Sequence, residues 1–247
     1  MKITVCETDL ELGIIAAKAI AEKIKNAIEK NGEARIILST GASQFETIEE
    51  LVKLDIDWSK VTMFHLDEYL NMSETHPASF KKYLKERFLS KVPPLGKVVF
   101  VDGEGPVGET LANLSREIRE RPIDVAVIGI GENAHIAFND PPADFDTNEA
   151  FKVVVLDEAC RHQQFGEGWF PTFDDVPKEA ISMTPFQIME SLSIISPVPR
   201  AMKADAIAAT LGAEDVTPTI PATLLKTHPD FHLILDKMSS AKSGEYI

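Results

Sequence analysis

Short apolar runs bounded by turn residues recur along the first half of the chain, at residues 3–6, 35–38, 61–66, 98–101 and 125–130. Each is too short for a stable helix, so each predicts a strand. Between them the period changes. From residue 10 to 29, Leu12, Ile15, Ala16, Ile20, Ile24 and Ile28 recur at helical spacing, and residues 47–54 form a second helical stretch. A chain that alternates strand and helix pairs its strands mainly in parallel, because parallel neighbours need crossover connections of one dominant hand. The expected fold class is α/β, a mainly parallel, doubly wound open sheet with helices on both faces. Ligands then bind beyond the carboxyl ends of the strands.

The second half is less regular. Residues 152–156, 192–196 and 231–235 predict strands and residues 201–211 a helix, while residues 160–176, with their Gly, Pro, Trp and Asp, predict an ordered loop. The polar residues after Lys237 are expected to fray. No repeat, heptad or low-complexity tract interrupts the pattern, and residues 1–247 are expected to form one domain around one sizeable core.

Charge narrows the partners. A formal net charge of -14 repels nucleic-acid backbones and anionic membrane surfaces, so neither is an expected partner. The longest apolar stretches, such as residues 123–130, are too short to span a bilayer, and no signal-peptide pattern follows Met1, which predicts a cytoplasmic protein. Cys6 and Cys160 have neither disulfide-framework nor metal-ligand spacing and are expected to be structural thiols.

Three segments sit where an α/β sheet carries its chemistry. Thr40, Gly41, Ala42 and Ser43 follow a predicted strand and open a helix, an arrangement that offers backbone N–H groups to an anion. A plain glycine turn capped by Ser43 explains the same residues equally well. Asp67, directly after the run 61–66, is a carboxylate at the sheet's carboxyl edge; alternatively it turns the chain while Glu68 is solvated. His76, before Pro77 and a helical pattern, reads as structural. The richest segment spans residues 124–141. There a strand runs into Gly129 and Gly131, which permit close backbone approach, and then reaches His135, able to change charge near neutral pH, with Asn133 and Asp140 placed to orient or charge it. Lys203 follows Pro199 in a chain short of cations, either as an exposed helix lysine or as a point charge for a phosphate.

Taken together, Thr40-Gly41-Ala42-Ser43, Phe64-His65-Leu66-Asp67-Glu68-Tyr69, His76-Pro77-Ala78-Ser79-Phe80 and residues 131–141 resemble the glucosamine-6-phosphate deaminase and isomerase family, in order and spacing, from Met1 to about Leu235. The His-Ile-Ala-Phe-Asn core at 135–139 is the most diagnostic part, and it sets the chain apart from the related 6-phosphogluconolactonases. The resemblance implies a small phosphorylated amino sugar as ligand, its phosphate held by Thr40, Gly41, Ala42, Ser43 and Lys203. It further implies that Asp67 moves a proton between C2 and C1 and that His135, supported by acidic neighbours, opens the ring, with no cofactor and no metal. A homo-oligomer is compatible with a family that includes hexameric members.

Several positions depart from the family pattern. Asn133 stands in place of an Asp and Ala134 in place of a Gly, while Asp140 replaces a Glu. Gln164 falls near the position of a phosphate-binding Arg, for which the nearby Arg161 is the expected substitute. Asn133, as a neutral partner of His135, is expected to leave the ring less charged than a carboxylate would. Ala143 and Ala150 replace a Ser and an Arg of allosteric members, so activation by an acetylated sugar phosphate is not expected. Two competing readings remain: a lactonase-like hydrolase, and a catalytically weak sugar-phosphate sensor.

Overall fold

In the computed structural model, which describes residues 1–244 and 246–247, the chain forms a seven-stranded parallel sheet and a smaller antiparallel one. Strand β1 (Lys2–Cys6) leads into helix α1 (Asp9–Asn31), capped by the Thr8 side chain and closed by Gly32 in the left-handed conformation. Then follow β2 (Ala34–Leu38), α2 (Phe45–Leu51), β3 (Val61–His65), β4 (Asp67–Tyr69), α3 (Phe80–Arg87) and β5 (Lys97–Val99). The middle of the chain supplies α4 (Val107–Arg119), β6 (Val125–Val127), β7 (Phe151–Val155) and α5 (Glu158–Gly166). The remainder supplies β8 (Glu179–Met183), α6 (Pro185–Met189), β9 (Ile194–Val198), α7 (Ala204–Gly212) and β10 (Phe231–Asp236).

The large sheet has the order β1-β10-β9-β6-β2-β3-β5, with every pairing parallel. Its strands alternate their apolar side chains between two cores, as a doubly wound sheet requires. Ile36 and Leu38 pack with Leu12, Ile20 and Ile24 of α1, while Ile37 packs on the other side with Leu114 and Ile118 of α4 and Ile207 of α7. From β2 the chain continues outward to β3, and from β6 it works across to β9, so the switch in direction lies between two adjacent strands at the middle of the sheet.

Four expectations need correction. The run 61–66 divides: β3 ends at His65, and from Asp67 the chain enters a second sheet, pairing antiparallel with β8 in the order β4-β8-β7. The run 125–130 is a strand only as far as Val127, because the backbone leaves the ladder to approach the site through Gly129 and Gly131. Much of the expected loop 160–176 is helical. The Asp157 side chain caps the Cys160 N–H at 2.5 Å and starts α5, whose buried face is Cys160 and Gln164, a pair without a strong apolar signal. The tail does not fray as expected. Ser239 donates its N–H to Asp236 Oδ1 at 2.6 Å, Ser243 is buried, and a Cβ on Gly212 would lie 3.1 Å from the Tyr246 ring; Glu245 lies outside the described residues.

Candidate active site

The carboxyl ends of β2, β3, β6 and β9 open onto one cavity of about 640 Å³. After β2, Gly41 takes φ 92°, a conformation that a side chain would strain, and Gln44 closes the turn by donating its N–H to the Gly41 carbonyl at 3.1 Å. Ser43 provides no cap, since α2 begins only at Phe45 after a short 3-10 turn, so the plain capping reading fails. Two side chains from elsewhere fix this loop. Tyr83 donates its hydroxyl to the Gly41 carbonyl at 3.1 Å, and Arg200 donates Nη1 to the Ala42 carbonyl at 2.8 Å while its Nη2 pairs with Glu46 at 2.6 Å.

Lys203, at the end of the 3-10 turn after β9, faces the same cavity. It is only 5% exposed, and its ammonium has no hydrogen bond or ion pair within 4.0 Å among the described residues. Burial pulls its pKa down, against the upward pull of Glu132 and Glu167. A buried cation without a close partner is costly unless an anion completes it, and Lys203 is not the exposed helix lysine of the alternative reading.

Asp67 stands at the opposite kind of imbalance. It lines the cavity, buried and without a hydrogen-bond or ion-pair partner among the described residues. Burial, with the Glu68 charge adding to it, pushes its carboxyl up to about 8. Glu68 is not solvated, as the alternative reading had it. Its carboxylate accepts from the Ser79 hydroxyl and from the Phe80 and Lys81 N–H groups at the start of α3, so it fastens that helix beneath the site.

His135 is delivered by the β6 loop. Its ring packs so closely on Gly131 that a Cβ there would lie 2.3 Å from Nε2. Nδ1 lies 3.0 Å from Asp140 Oδ1, and Asp140 is held in turn by Asn133 Nδ2 at 3.1 Å and by the Asp157 N–H at 3.1 Å. Burial alone would raise the Asp140 carboxyl, but its contacts with His135, Asn133 and Asp157 hold it below the ordinary carboxylate range. Asn133 therefore does not partner the ring as expected: its carboxamide bonds Asp140 and, through Oδ1, the backbone N–H of His135 at 3.1 Å. Ala134 adopts φ 65°, the left-handed region that glycine enters freely, which accounts for the Gly of the family pattern at this position.

His135, Asp140 and Cys160 each bring one ligand atom within 4.8 Å of the others, a spacing that would suit a metal. Asp140 is the neighbour that the ring and the thiol share. Burial, then the charges of Asp140 and Asp157, push the Cys160 thiol up, so it sits there as a neutral group.

Arg161 is not brought to the cavity. Its guanidinium donates to the carbonyls of Phe173 and Val176 and stacks over the Phe173 ring, fastening the segment after α5. Gln164 does line the cavity, with its amide oxygen accepting the Tyr69 hydroxyl at 2.7 Å. Among the polar cavity residues that sequence reasoning missed are Glu132, Gln163, Glu167 and Arg200. Glu132 lay unremarked within the segment 124–141, and Arg200 left the trace of a lone arginine after the Pro-Val-Pro at the end of a predicted strand; its φ of 82° is invisible in the sequence.

The family described as glucosamine-6-phosphate isomerases/6-phosphogluconolactonase matches residues 7–233. The chain belongs to this family. Among its relatives, a glucosamine-6-phosphate deaminase from Streptococcus sanguinis is 31% identical over 237 residues, covering 96% of this chain and 97% of that one. Another from Streptococcus pneumoniae serotype 4 is 30% identical over 236 residues, with 96% and 97% covered. Of the solved structures, a monomeric glucosamine-6-phosphate deaminase superposes with a TM-score of 0.90 at 28% identity, covering 98% of this chain and all of that one. A 6-phosphogluconolactonase from Thermotoga maritima superposes with a TM-score of 0.78 at 18% identity, over 96% of this chain and 99% of that one, a likeness of fold alone. The chain is thus a member of an enzyme family, on the α/β fold that its alternating pattern predicted.

Proposed function

We propose that this protein converts glucosamine 6-phosphate, or a close hexosamine phosphate, to fructose 6-phosphate and ammonia. One observation carries the reading: an unpartnered, buried Asp67 carboxyl shares a cavity with the His135–Asp140 pair and with Lys203, whose ammonium also lacks a close partner. The phosphate would lie between Lys203 and the N–H groups of Thr40, Gly41, Ala42 and Ser43. Arg200 would support it indirectly by holding the Ala42 carbonyl.

His135 moves a proton from the C1 hydroxyl to the ring oxygen, and the pyranose opens to the aldehyde. Asp67 takes the C2 proton and returns it to C1, which turns the 2-amino aldose into a 2-imino ketose. Water adds to that imine, and ammonia leaves as the ketone forms. Asp140, 3.0 Å from the imidazole, would balance the proton that the ring carries during transfer, while Asn133 holds Asp140. The elevated Asp67 carboxyl suits a base that must accept a proton and release it. The reaction requires no cofactor. We place it in the cytoplasm, where the buried, unpaired thiols of Cys6 and Cys160 are at home, and no helix among the described residues is long and apolar enough to cross a membrane.

The catalytically weak sensor reading draws on Gln164, which stands near the expected phosphate arginine and is held by Tyr69. One experiment separates the two. Ammonia release from glucosamine 6-phosphate is expected for the wild type, while Asp67→Asn is expected to lose at least about a hundredfold in kcat, the scale of a removed acid-base group, with binding of a sugar-phosphate analogue retained. Thermal stabilisation by the ligand without turnover in the wild type would establish the sensor, and near-normal turnover in the variant would remove Asp67 from its role.

A further inference from the structure

We propose that Glu167 is an internal stand-in for the substrate's phosphate, occupying the anion-binding loop of the free protein and leaving it when a phosphorylated sugar enters. The inference rests on the reading above that this loop receives phosphate.

Glu167 caps the carboxyl end of α5 and lines the main cavity together with Gly41, Ala42 and Lys203. Its Oε1 comes within 4.0 Å of the point where a Cβ on Gly41 would stand, against the face of the loop that glycine leaves open. Lys203 is the cation that acts on its carboxylate, and the Gln163 amide, the Trp169 indole and the Ala42 backbone N–H are the donors that face it. Ala42 N–H and the Lys203 ammonium are the two groups a phosphate would claim. One N–H cannot serve two anions, and two anions on one small loop repel each other. A phosphorylated ligand and the Glu167 carboxylate therefore exclude each other.

The side chain of Glu167 has room to leave. Glycines flank it, and a Cβ on either Gly166 or Gly168 would meet nothing within 4 Å, while the backbone stays fastened by the N–H groups of Glu167 and Gly168, which donate to the Gln163 and Phe165 carbonyls at 3.1 and 2.9 Å. Gly168 also takes φ 82°, which glycine alone adopts without strain. Burial pushes the Glu167 carboxyl up, so its ionised form is held against a desolvation cost that release into solvent relieves. Glu167 also shares with Glu132 the balancing of the buried Lys203 charge, at a distance longer than an ion pair, so its departure leaves that ammonium free for the incoming anion.

The test measures binding of glucitol 6-phosphate, which has no aldehyde to isomerise, of inorganic phosphate and of unphosphorylated glucosamine by calorimetry, in the wild type, Glu167→Gln, Glu167→Ala and Lys203→Met. Both Glu167 variants are expected to bind the two phosphates on the order of tenfold more tightly than the wild type, the weight of one charge-assisted hydrogen bond no longer competing, with glucosamine unaffected. Phosphate binding that is unchanged or weaker in both Glu167 variants, with Lys203→Met still abolishing it, overturns the stand-in and leaves the phosphate site in place. Phosphate binding that survives Lys203→Met overturns the phosphate reading itself, and the stand-in with it.

Discussion

Asn133 shows how one side chain can be placed correctly in sequence and misread in role. Its position two residues before His135 suggested a neutral partner for the imidazole, whereas its carboxamide spends its donor on Asp140 at 3.1 Å and reaches Asp157 at 3.5 Å. Asp140 is the carboxylate beside the ring, 3.0 Å from Nδ1, and Asn133 holds that carboxylate. The consequence reverses the expectation from the family pattern. Asn133→Asp would press a third carboxylate against Asp140 and Asp157 and remove the amide donor, so it is expected to destabilise the protein by about 1–3 kcal/mol at pH 7 and to lower turnover. The loss should shrink toward pH 4, as protonation relieves the repulsion. Denaturant unfolding at the two pH values checks this, and equal stability of variant and wild type at both would show that the loop does not hold the three groups together.

Among the elements, the strand ends carry both the chemistry and its costs. Strand β3 buries His65 completely, with neither ring nitrogen finding a hydrogen-bond partner among the described residues and with Phe100 meeting the ring edge-on at 5.9 Å between centroids. Burial, with the Lys81 charge adding to it, drives its pKa down to about 3. The unfolded chain therefore takes up a proton below about 6.5 that the folded chain refuses, and stability is lost as pH falls from there toward about 3. His65→Leu removes both the unpaired nitrogens and the linkage. It is expected to stabilise the protein by about 1–3 kcal/mol at pH 7, with the advantage growing as the pH is lowered to 5. Urea midpoints at the two values measure it; a variant less stable than the wild type at both would mean that the histidine is paid for by packing that leucine cannot reproduce.

For the molecule as a whole, the cavity gathers buried ionisable groups without close partners inside a chain whose net charge is already -14. Asp67 is the clearest case. Its carboxyl is raised from an ordinary 3.8 to about 8, so the folded state keeps a proton that the unfolded state has given up. The stability this contributes is fully present below about pH 4 and is lost as the pH rises through about 8. Asp67→Asn, which cannot ionise, is therefore expected to match the wild type near pH 4 and to exceed it by on the order of a few kcal/mol at pH 8.5. Thermal unfolding of both proteins across that range gives the answer, and parallel curves would place Asp67 in contact with water.

The sequence by itself determined the alternation of strand and helix, the parallel sheet and the strand ends where Thr40–Ser43, Asp67, His135 and Lys203 fall, because apolar periodicity and chain direction are local properties. It also held the contact between Gly131 and His135 within a few residues of chain. Tertiary structure decided what those residues touch. The division of the run 61–66 between two sheets depends on β8, more than a hundred residues downstream, and α5 depends on a cap and on burial against Tyr69 that no apolar pattern announces. Arg161 turned from the cavity because the carbonyls of Phe173 and Val176 lay within its reach, while Arg200 and Glu167 entered it through contacts with Ala42 and Glu46, over a hundred positions away. Periodicity records which residues are buried; the partners of a buried charge are chosen in three dimensions, where distance along the chain has no weight.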